Sequence, residues 1–171
     1  MPGMKQLLIA LLLTSPVVDV PQDYRQANWL GDRGQGSCVI ASSVTLLRWQ
    51  NRIHAADYYR KTYGNGQGPD SLAAKFNSDG VRFAETRTGD VQFLEWALRT
   101  RRGANVVWMN GRHMLTLVHL DGEQAAILDN NAIDKVQWMP RERFLAEWRA
   151  SGGWAVTPLY TPMAPVPIYN G

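Results

Sequence analysis

The stretch Gly34-Gln35-Gly36-Ser37-Cys38-Val39-Ile40-Ala41-Ser42-Ser43 contains the only cysteine in a chain of 171 residues. Its glycines predict a flexible loop, and Ile40, Val44 and Leu47 then recur at helical spacing. This pattern places Cys38 in the first turn of a central helix, where unpaired N–H groups and the helix dipole favour a thiolate. A buried free cysteine that packs as a small apolar side chain is the structural alternative.

The composition predicts one globular domain with a substantial core. Hydrophobic residues make up 45% of the chain and charged residues 19%, as in ordinary globular domains. The formal net charge of +3 is small, and the densest basic cluster, at Arg99, Arg101 and Arg102, lacks aromatic residues at a repeating spacing. We therefore expect no nucleic-acid partner.

The sequence carries no motif typical of a cofactor site. One cysteine and three histidines without short ligand spacing predict no metal site. No glycine-rich phosphate motif follows a strand and opens a helix, so we expect neither a nucleotide nor another cofactor.

The first residues differ in composition from the rest of the chain. Lys5 precedes the apolar run Leu7–Leu13, and Thr14-Ser15-Pro16 follows it, as in a signal peptide. We expect a signal peptide or an N-terminal apolar segment over residues 1–19, with a buried first helix as the alternative. The run is too short to form a stable membrane span. The protein would be secreted or periplasmic if this segment is a signal peptide, and cytoplasmic otherwise.

Hydrophobic periodicity divides residues 20–157 into helices and strands. Helices are predicted over residues 38–49, 53–63, 69–79, 90–102 and 140–148. Strands are predicted over residues 81–84, 106–109, 113–120, 125–128, 136–139 and 154–156. Helices gather in the first half and antiparallel strands in the second, which indicates an α+β fold with the central helix packed on the sheet.

Residues 158–171 form a proline-rich C-terminal tail. Its prolines exclude a helix and suit an extended segment that could dock on a protein partner. A disordered C-terminus is the alternative.

A cysteine nucleophile needs an imidazole to share its proton and a third group to hold that ring. Among the three histidines, His54 lies in a polar helix and is expected at the surface, while His119 lies near a hairpin tip. His113 opens the buried strand 113–120, directly after Gly111-Arg112. Its ring would therefore project from the mouth of the sheet, and His113 is the candidate base.

The turn at Asp121-Gly122 decides which residue faces His113. A two-residue loop would pair Leu120 with Glu123 and place His113 opposite Asn130. A three-residue loop with Gly122 in the left-handed conformation would place His113 opposite Asp129. Either register brings a carboxylate or a carboxamide beside the imidazole, so both residues are candidates to orient it.

Three segments, 35–41, 111–118 and 127–130, resemble the papain-like cysteine peptidases. They are most similar to the compact bacterial branch that processes bacteriocin leaders at a double glycine. Asp129 stands sixteen residues after His113, the interval that this family typically shows. The resemblance spans about residues 25 to 157 and extends to the order of the secondary-structure elements.

The resemblance implies a Cys-His-Asp triad of Cys38, His113 and Asp129, with Asn130 as the alternative orienter. It further implies hydrolysis of a peptide or protein substrate through a thioester acyl-enzyme, without a cofactor. The family's oxyanion-hole glutamine usually stands six residues before the cysteine, where this chain has Asp32. The nearest glutamine, Gln35, is three residues before Cys38 and is the candidate for that role.

Two other functions use the same residues. A papain-like binding or scaffold protein without turnover would be consistent with the displaced glutamine and the proline-rich tail. A cysteine-dependent acyl transferase or amidase would use the same triad and pass the acyl group to an acceptor other than water.

Overall fold

A 12-residue helix, α1 (Cys38–Trp49), lies at the centre of the fold, and every one of its residues except Arg48 is buried. A helix buried on all sides must be covered by several other elements. The computed structural model describes residues 18–29 and 36–162. Within these residues, α1 packs against the next helix and against the sheet.

Four further helices are described: α2 (Ile53–Thr62), α3 (Pro69–Ser78), α4 (Val91–Arg99) and α5 (Arg141–Ala150). The described strands are β1 (Phe83–Thr86), β2 (Ala104–Trp108), β3 (His113–Leu120), β4 (Gln124–Leu128), β5 (Val136–Pro140) and β6 (Ala155–Pro158). A short 3-10 helix, Gln22–Tyr24, precedes α1.

The six strands form one antiparallel sheet in the order β1-β6-β2-β3-β4-β5. Every residue of β2 and β3 is buried, and α1, α4 and α5 all pack against the sheet. Both faces of the two central strands are therefore covered, as their continuous apolar sequences require. This arrangement confirms the expected α+β fold, with α1 packed on an antiparallel sheet.

Several elements begin or end up to three residues from their predicted bounds, and two of these shifts have a local cause. Strand β1 begins at Phe83, two residues later than predicted, because Val81 donates its backbone N–H to the carbonyl of Phe76 and closes α3. Helix α4 ends at Arg99, three residues earlier than predicted, and Arg101 adopts a left-handed backbone conformation with a φ of 59°. Residues 100–103 therefore form a turn between α4 and β2.

The β3–β4 hairpin differs from both expected registers. Leu120 pairs with Ala125, so the chain reverses in a four-residue turn, Asp121 to Gln124, whose last residue is also the first of β4. A β-bulge between Leu117 and His119 shifts the register again. The carboxylate of Asp121 explains the longer loop, since Oδ1 accepts the backbone N–H groups of Glu123 and Gln124 at 2.8 and 2.7 Å. Neither the two-residue nor the three-residue loop was therefore correct.

Most of the two terminal segments lies outside the described residues. Val18 and Val20 are buried, and Val18 donates its N–H to the carbonyl of Val118 in β3 at 2.7 Å. Leu159 continues from β6 by donating its N–H to the Arg82 carbonyl. Of the expected signal or apolar segment 1–19, residues 1–17 are outside the description, and of the expected tail 158–171, residues 163–171 are. Pro158, where the tail was expected to begin, is instead the last residue of β6. No helix among the described residues combines the length and apolar character needed to cross a bilayer.

Candidate active site

The residue before the cysteine holds the start of α1. The Ser37 carbonyl accepts the first intrahelical hydrogen bond, from Ala41 at 2.8 Å. Asn28 accepts the Ser37 N–H at 2.9 Å, and Ser37 Oγ accepts the N–H of Trp29 at 2.9 Å. The preceding chain is thus fastened to the helix start, which fixes where Cys38 enters the first turn.

His113 lies at the start of β3, paired with Trp108 in β2. Its Nε2 is 2.9 Å from Oδ1 of Asp129, which also accepts the backbone N–H of Asn131 at 2.9 Å. Because Nε2 is engaged by this carboxylate, Nδ1 is the ring nitrogen left for a second partner. Hydrogen bonding and charge also couple the imidazole to the Cys38 thiol, which places the cysteine beside the ring.

The surroundings of Cys38 favour a thiolate. Burial alone would raise the pKa of the thiol, but the hydrogen bond and positive charge of His113 lower it. Backbone N–H groups of Met114 and Val39 also bond to the sulfur and lower the pKa further. The net result is a thiol pKa below its usual value.

The imidazole is held in its charged form. Burial of the ring would lower the pKa of His113, but hydrogen bonds to Asp129 and Cys38, with the charges of both, raise it to about 9. Burial would likewise raise the pKa of Asp129, and its bonds with His113 and the Asn131 N–H lower it instead. The arrangement therefore stabilises a thiolate–imidazolium pair beside a carboxylate.

Asn130, the alternative orienter, makes different contacts. Its buried Nδ2 donates to the carbonyls of Met114 and Cys38 at 2.8 and 3.2 Å and to Oγ of Ser42 at 3.0 Å. These bonds tie the first turn of α1 to the beginning of β3. Asn130 joins the elements that carry Cys38 and His113, while Asp129 contacts the imidazole.

Gln35 and Asp32, the residues considered for the oxyanion hole, lie outside the described residues. A donor role for Gln35 therefore stays a prediction. Cys38 is the first helical residue of α1. Backbone N–H groups in the first turn of a helix have no acceptor within the helix. The N–H of Cys38 is therefore a candidate donor to an oxyanion formed when the sulfur attacks a carbonyl group.

A cavity of about 440 Å³ opens at the cysteine and histidine. Besides Cys38 and His113, its walls include Gln67, Arg112, Ser151 and Trp154, which no sequence pattern had marked as functional. Gln67 lies in the connection between α2 and α3, and its Nε2 donates to the Asn65 carbonyl at 3.0 Å. Its Oε1 is buried and has no hydrogen-bond donor among the described residues.

The other two histidines lie apart from this cavity. His54 is exposed on α2, as expected for a surface residue. His119 is buried, and its Nε2 lies 2.8 Å from Oδ2 of Asp121 in the hairpin loop. In the part of the chain that the structure describes, no group of three or more His, Cys, Asp or Glu side chains could hold a metal ion.

No protein-family model and no curated protein matches the sequence, but solved structures share its architecture. The peptidase domain of Streptococcus ComA, a bifunctional ABC transporter involved in a quorum-sensing pathway, aligns with a TM-score of 0.58 at 19% identity. The alignment covers 82% of this chain and 99% of that domain. The chain has the papain-like cysteine peptidase fold.

Two further structures support the same fold. A double glycine motif protease from an AMS/PCAT transporter, solved in complex with the leader peptide, has a TM-score of 0.52 at 17% identity. The alignment covers 78% of this chain and 94% of that protease chain. The peptidase domain of Streptococcus mutans ComA has a TM-score of 0.51 at 20% identity. That alignment covers 79% of this chain and 98% of the ComA domain. The papain-like fold implied by the sequence resemblance is confirmed.

Proposed function

We propose that this protein is a cysteine peptidase in which Cys38, His113 and Asp129 carry the reaction. The observation behind the proposal is that His113 contacts both the Cys38 thiol and the Asp129 carboxylate, within a papain-like fold. A lone structural cysteine would need no such pair, and its thiol would gain nothing from a charged imidazole.

The chemistry proceeds in two stages. The Cys38 thiolate attacks the scissile carbonyl, and the electron pair of the C=O bond moves to the oxygen as the C–S bond forms. When the intermediate collapses, the C–N bond breaks and the His113 imidazolium gives its proton to the leaving amine. Water then attacks the thioester, with His113 as base, and regenerates the thiol.

Asp129 has a supporting part in this reaction. Its carboxylate fixes the ring through Nε2 and stabilises the imidazolium, which keeps Nδ1 directed at the sulfur and the leaving group. The backbone N–H of Cys38 would donate to the oxyanion. Gln35 is the proposed second donor.

The proposed substrate is a peptide with glycine residues just before the scissile bond. A structure with the same fold is described as a double glycine motif protease and was solved with its leader peptide, and we extend that substrate class to this chain. An extended peptide in the 440 Å³ cavity would also offer backbone N–H groups to Oε1 of Gln67, which lacks a donor.

A pair of matched fluorogenic peptides tests the proposal. One carries Gly-Gly before the reporter amide and the other carries Leu-Leu at the same positions. We expect turnover of the first by the wild-type protein and none by the Cys38→Ala variant, whose folding is checked by circular dichroism.

Product analysis by mass spectrometry separates the alternatives. A carboxylic acid product supports hydrolysis, and conjugation to an added amine would instead identify an acyl transferase. Binding of both peptides without any product would contradict the proposal and favour a scaffold protein.

A further inference from the structure

A second cavity, of about 430 Å³, lies at the opposite end of α1 from the catalytic cysteine. Its walls begin at Gln50, directly after the last residue of α1. Because an α-helix rises about 1.5 Å per residue, this cavity is about 18 Å from Cys38. It is separate from the proposed active site and has a different chemical character.

Three arginines, Arg52, Arg82 and Arg102, contribute to its walls, and no Asp or Glu does. The guanidinium carbons of Arg52 and Arg82 lie 4.5 and 5.2 Å from the centre of the same ring, that of Tyr160. Arg102 lies 5.7 Å from the Trp96 ring, and its Nε is buried without an acceptor among the described residues. Aromatic faces therefore hold the cations in place without neutralising them.

These arginines differ from others in the protein. Arg48 pairs with Asp57, and Arg141 pairs with Glu95. Within residues 18–29 and 36–162, none of the three arginines of this cavity forms an ion pair. Arg52 and Arg82 are exposed and approach the same Tyr160 ring, and no carboxylate lies beside them in the cavity wall. Two cations held this close without a carboxylate attract an anion from solution.

The frame around these cations is ordered by hydrogen bonds. Gln50, which is 1% exposed, accepts the N–H of Tyr160 at 2.9 Å and donates to the Arg102 carbonyl at 3.3 Å. The Tyr160 hydroxyl accepts the N–H of Arg82 at 3.0 Å. The C-terminal end of α1 also faces this region, but three of its carbonyls are occupied, by the backbone N–H groups of Gln50, Asn51 and Arg52.

We propose that this cavity binds the phosphate group of a small anionic molecule. Guanidinium groups present planar pairs of donors that match phosphate oxygens. Arg52 and Arg82, which approach the same ring, can engage several phosphate oxygens at once. The cavity volume of about 430 Å³ suits a phosphate with a small organic body.

Calorimetric titration of the full-length protein with pyrophosphate at low ionic strength tests the site. We expect saturable one-to-one binding that weakens about ten-fold or more in Arg52→Gln and in Arg82→Gln. Arg143→Gln is the matched control, because Arg143 is an exposed arginine on α5 outside the cavity. This control should bind pyrophosphate as the wild-type protein does.

Two further measurements identify the source of the phosphate and guard against misfolding. Binding to vesicles with and without phosphatidic acid shows whether a lipid headgroup can supply the phosphate. Binding that requires phosphatidic acid and is lost in the cavity arginine variants would identify a lipid headgroup as the source. Pyrophosphate should raise the melting temperature of the wild type and of Arg143→Gln but not of Arg82→Gln. Absence of saturable binding in both arms, or equal binding by the cavity variants and the control, would overturn the proposal.

Discussion

His113 Nε2 lies 2.9 Å from Oδ1 of Asp129, although the two residues are not partners in the sheet. Strand β4 ends at Leu128, and Asp129 follows in a turn closed by the bond from the Ala132 N–H to its carbonyl. The bulge near Val118 alters the pairing between these strands. The carboxylate thus reaches the imidazole from a turn, where its position depends on local hydrogen bonds.

Replacement of Asp129 by Asn tests the orienting role. Without the carboxylate, the pKa of His113 should fall from about 9 towards its usual value, and the ring loses its fixed orientation. We expect kcat/KM on the Gly-Gly peptide to fall about 100-fold or more, with the fold retained. Asp121→Asn is the matched control, because Asp121 makes the same contact with His119 away from the cavity. Equal losses in the two variants would contradict a specific role for Asp129.

The pH dependence of Cys38 alkylation follows from the two opposite pKa shifts. The pKa of Cys38 is lowered, so the thiolate should persist well below the pH at which an ordinary thiol ionises. The pKa of His113 is raised to about 9, so the imidazolium, which is the proposed proton donor to the leaving amine, is lost as the pH rises through that value.

Two profiles measured on the same protein test these directions. Alkylation by iodoacetamide should remain fast under mildly acidic conditions, whereas kcat/KM for the Gly-Gly peptide should decline near pH 9. In His113→Gln, the alkylation profile should move to higher pH, because burial then raises the thiol pKa without an opposing imidazolium. An unchanged alkylation profile in this variant would show that the histidine does not act on the sulfur.

Asn130→Ala should weaken the connection between the cysteine and histidine elements. The substitution leaves the carbonyls of Cys38 and Met114 and the Ser42 hydroxyl without this donor. We expect a loss of about 1–3 kcal/mol in the free energy of unfolding, together with slower alkylation of Cys38. Asn131→Ala is a suitable control, since Asn131 is exposed and accepts one hydrogen bond, from Asn28. Urea unfolding and alkylation rates that are the same in both variants would argue against this role.

Gln67→Ala tests the proposed substrate contact. Its Oε1 is buried beside the cavity without a donor. A backbone N–H of a bound peptide would donate to this oxygen and satisfy it, which favours binding. We expect KM for the Gly-Gly peptide to rise by about ten-fold while alkylation of Cys38 by iodoacetamide is unchanged. Gln92→Ala, on α4 and outside the cavity, should alter neither quantity. A fall in kcat at constant KM would indicate a role other than peptide binding.

The sequence predicted those parts of the site that depend on local patterns. The helix that starts at Cys38 and the strand that starts at His113 both have their predicted beginnings, because glycine placement and periodicity are local signals. The partner of His113 depended on a hairpin register, which the Asp121 turn and the bulge changed. Gln67 lies at the cavity only because of tertiary packing. Hydrophobic periodicity in a single sequence does not predict which loop residues line a cavity.

The loop after α5 forms one wall of the cavity at Cys38 and His113 through Ser151 and Gly152. The next residue, Gly153, has a φ of +64°, and a Cβ there would lie 2.6 Å from the backbone nitrogen of Gly89. The backbone of Gly89 cannot move away easily, since its N–H donates to the Gly153 carbonyl at 3.1 Å. Gly153→Ala should therefore displace this wall of the cavity.

Two other glycines separate the clash at Gly153 from backbone strain alone. Gly80 has a φ of +68° with nothing within 4 Å of a Cβ, whereas Gly122 has open space and no positive φ. In urea unfolding we expect Gly122→Ala to stay within about 0.5 kcal/mol of the wild type and Gly80→Ala to lose about 1 kcal/mol. Gly153→Ala should lose more than Gly80→Ala and should also raise KM for the Gly-Gly peptide. Equal losses at positions 80 and 153 would show that the close approach to Gly89 adds nothing to the cost of the left-handed backbone.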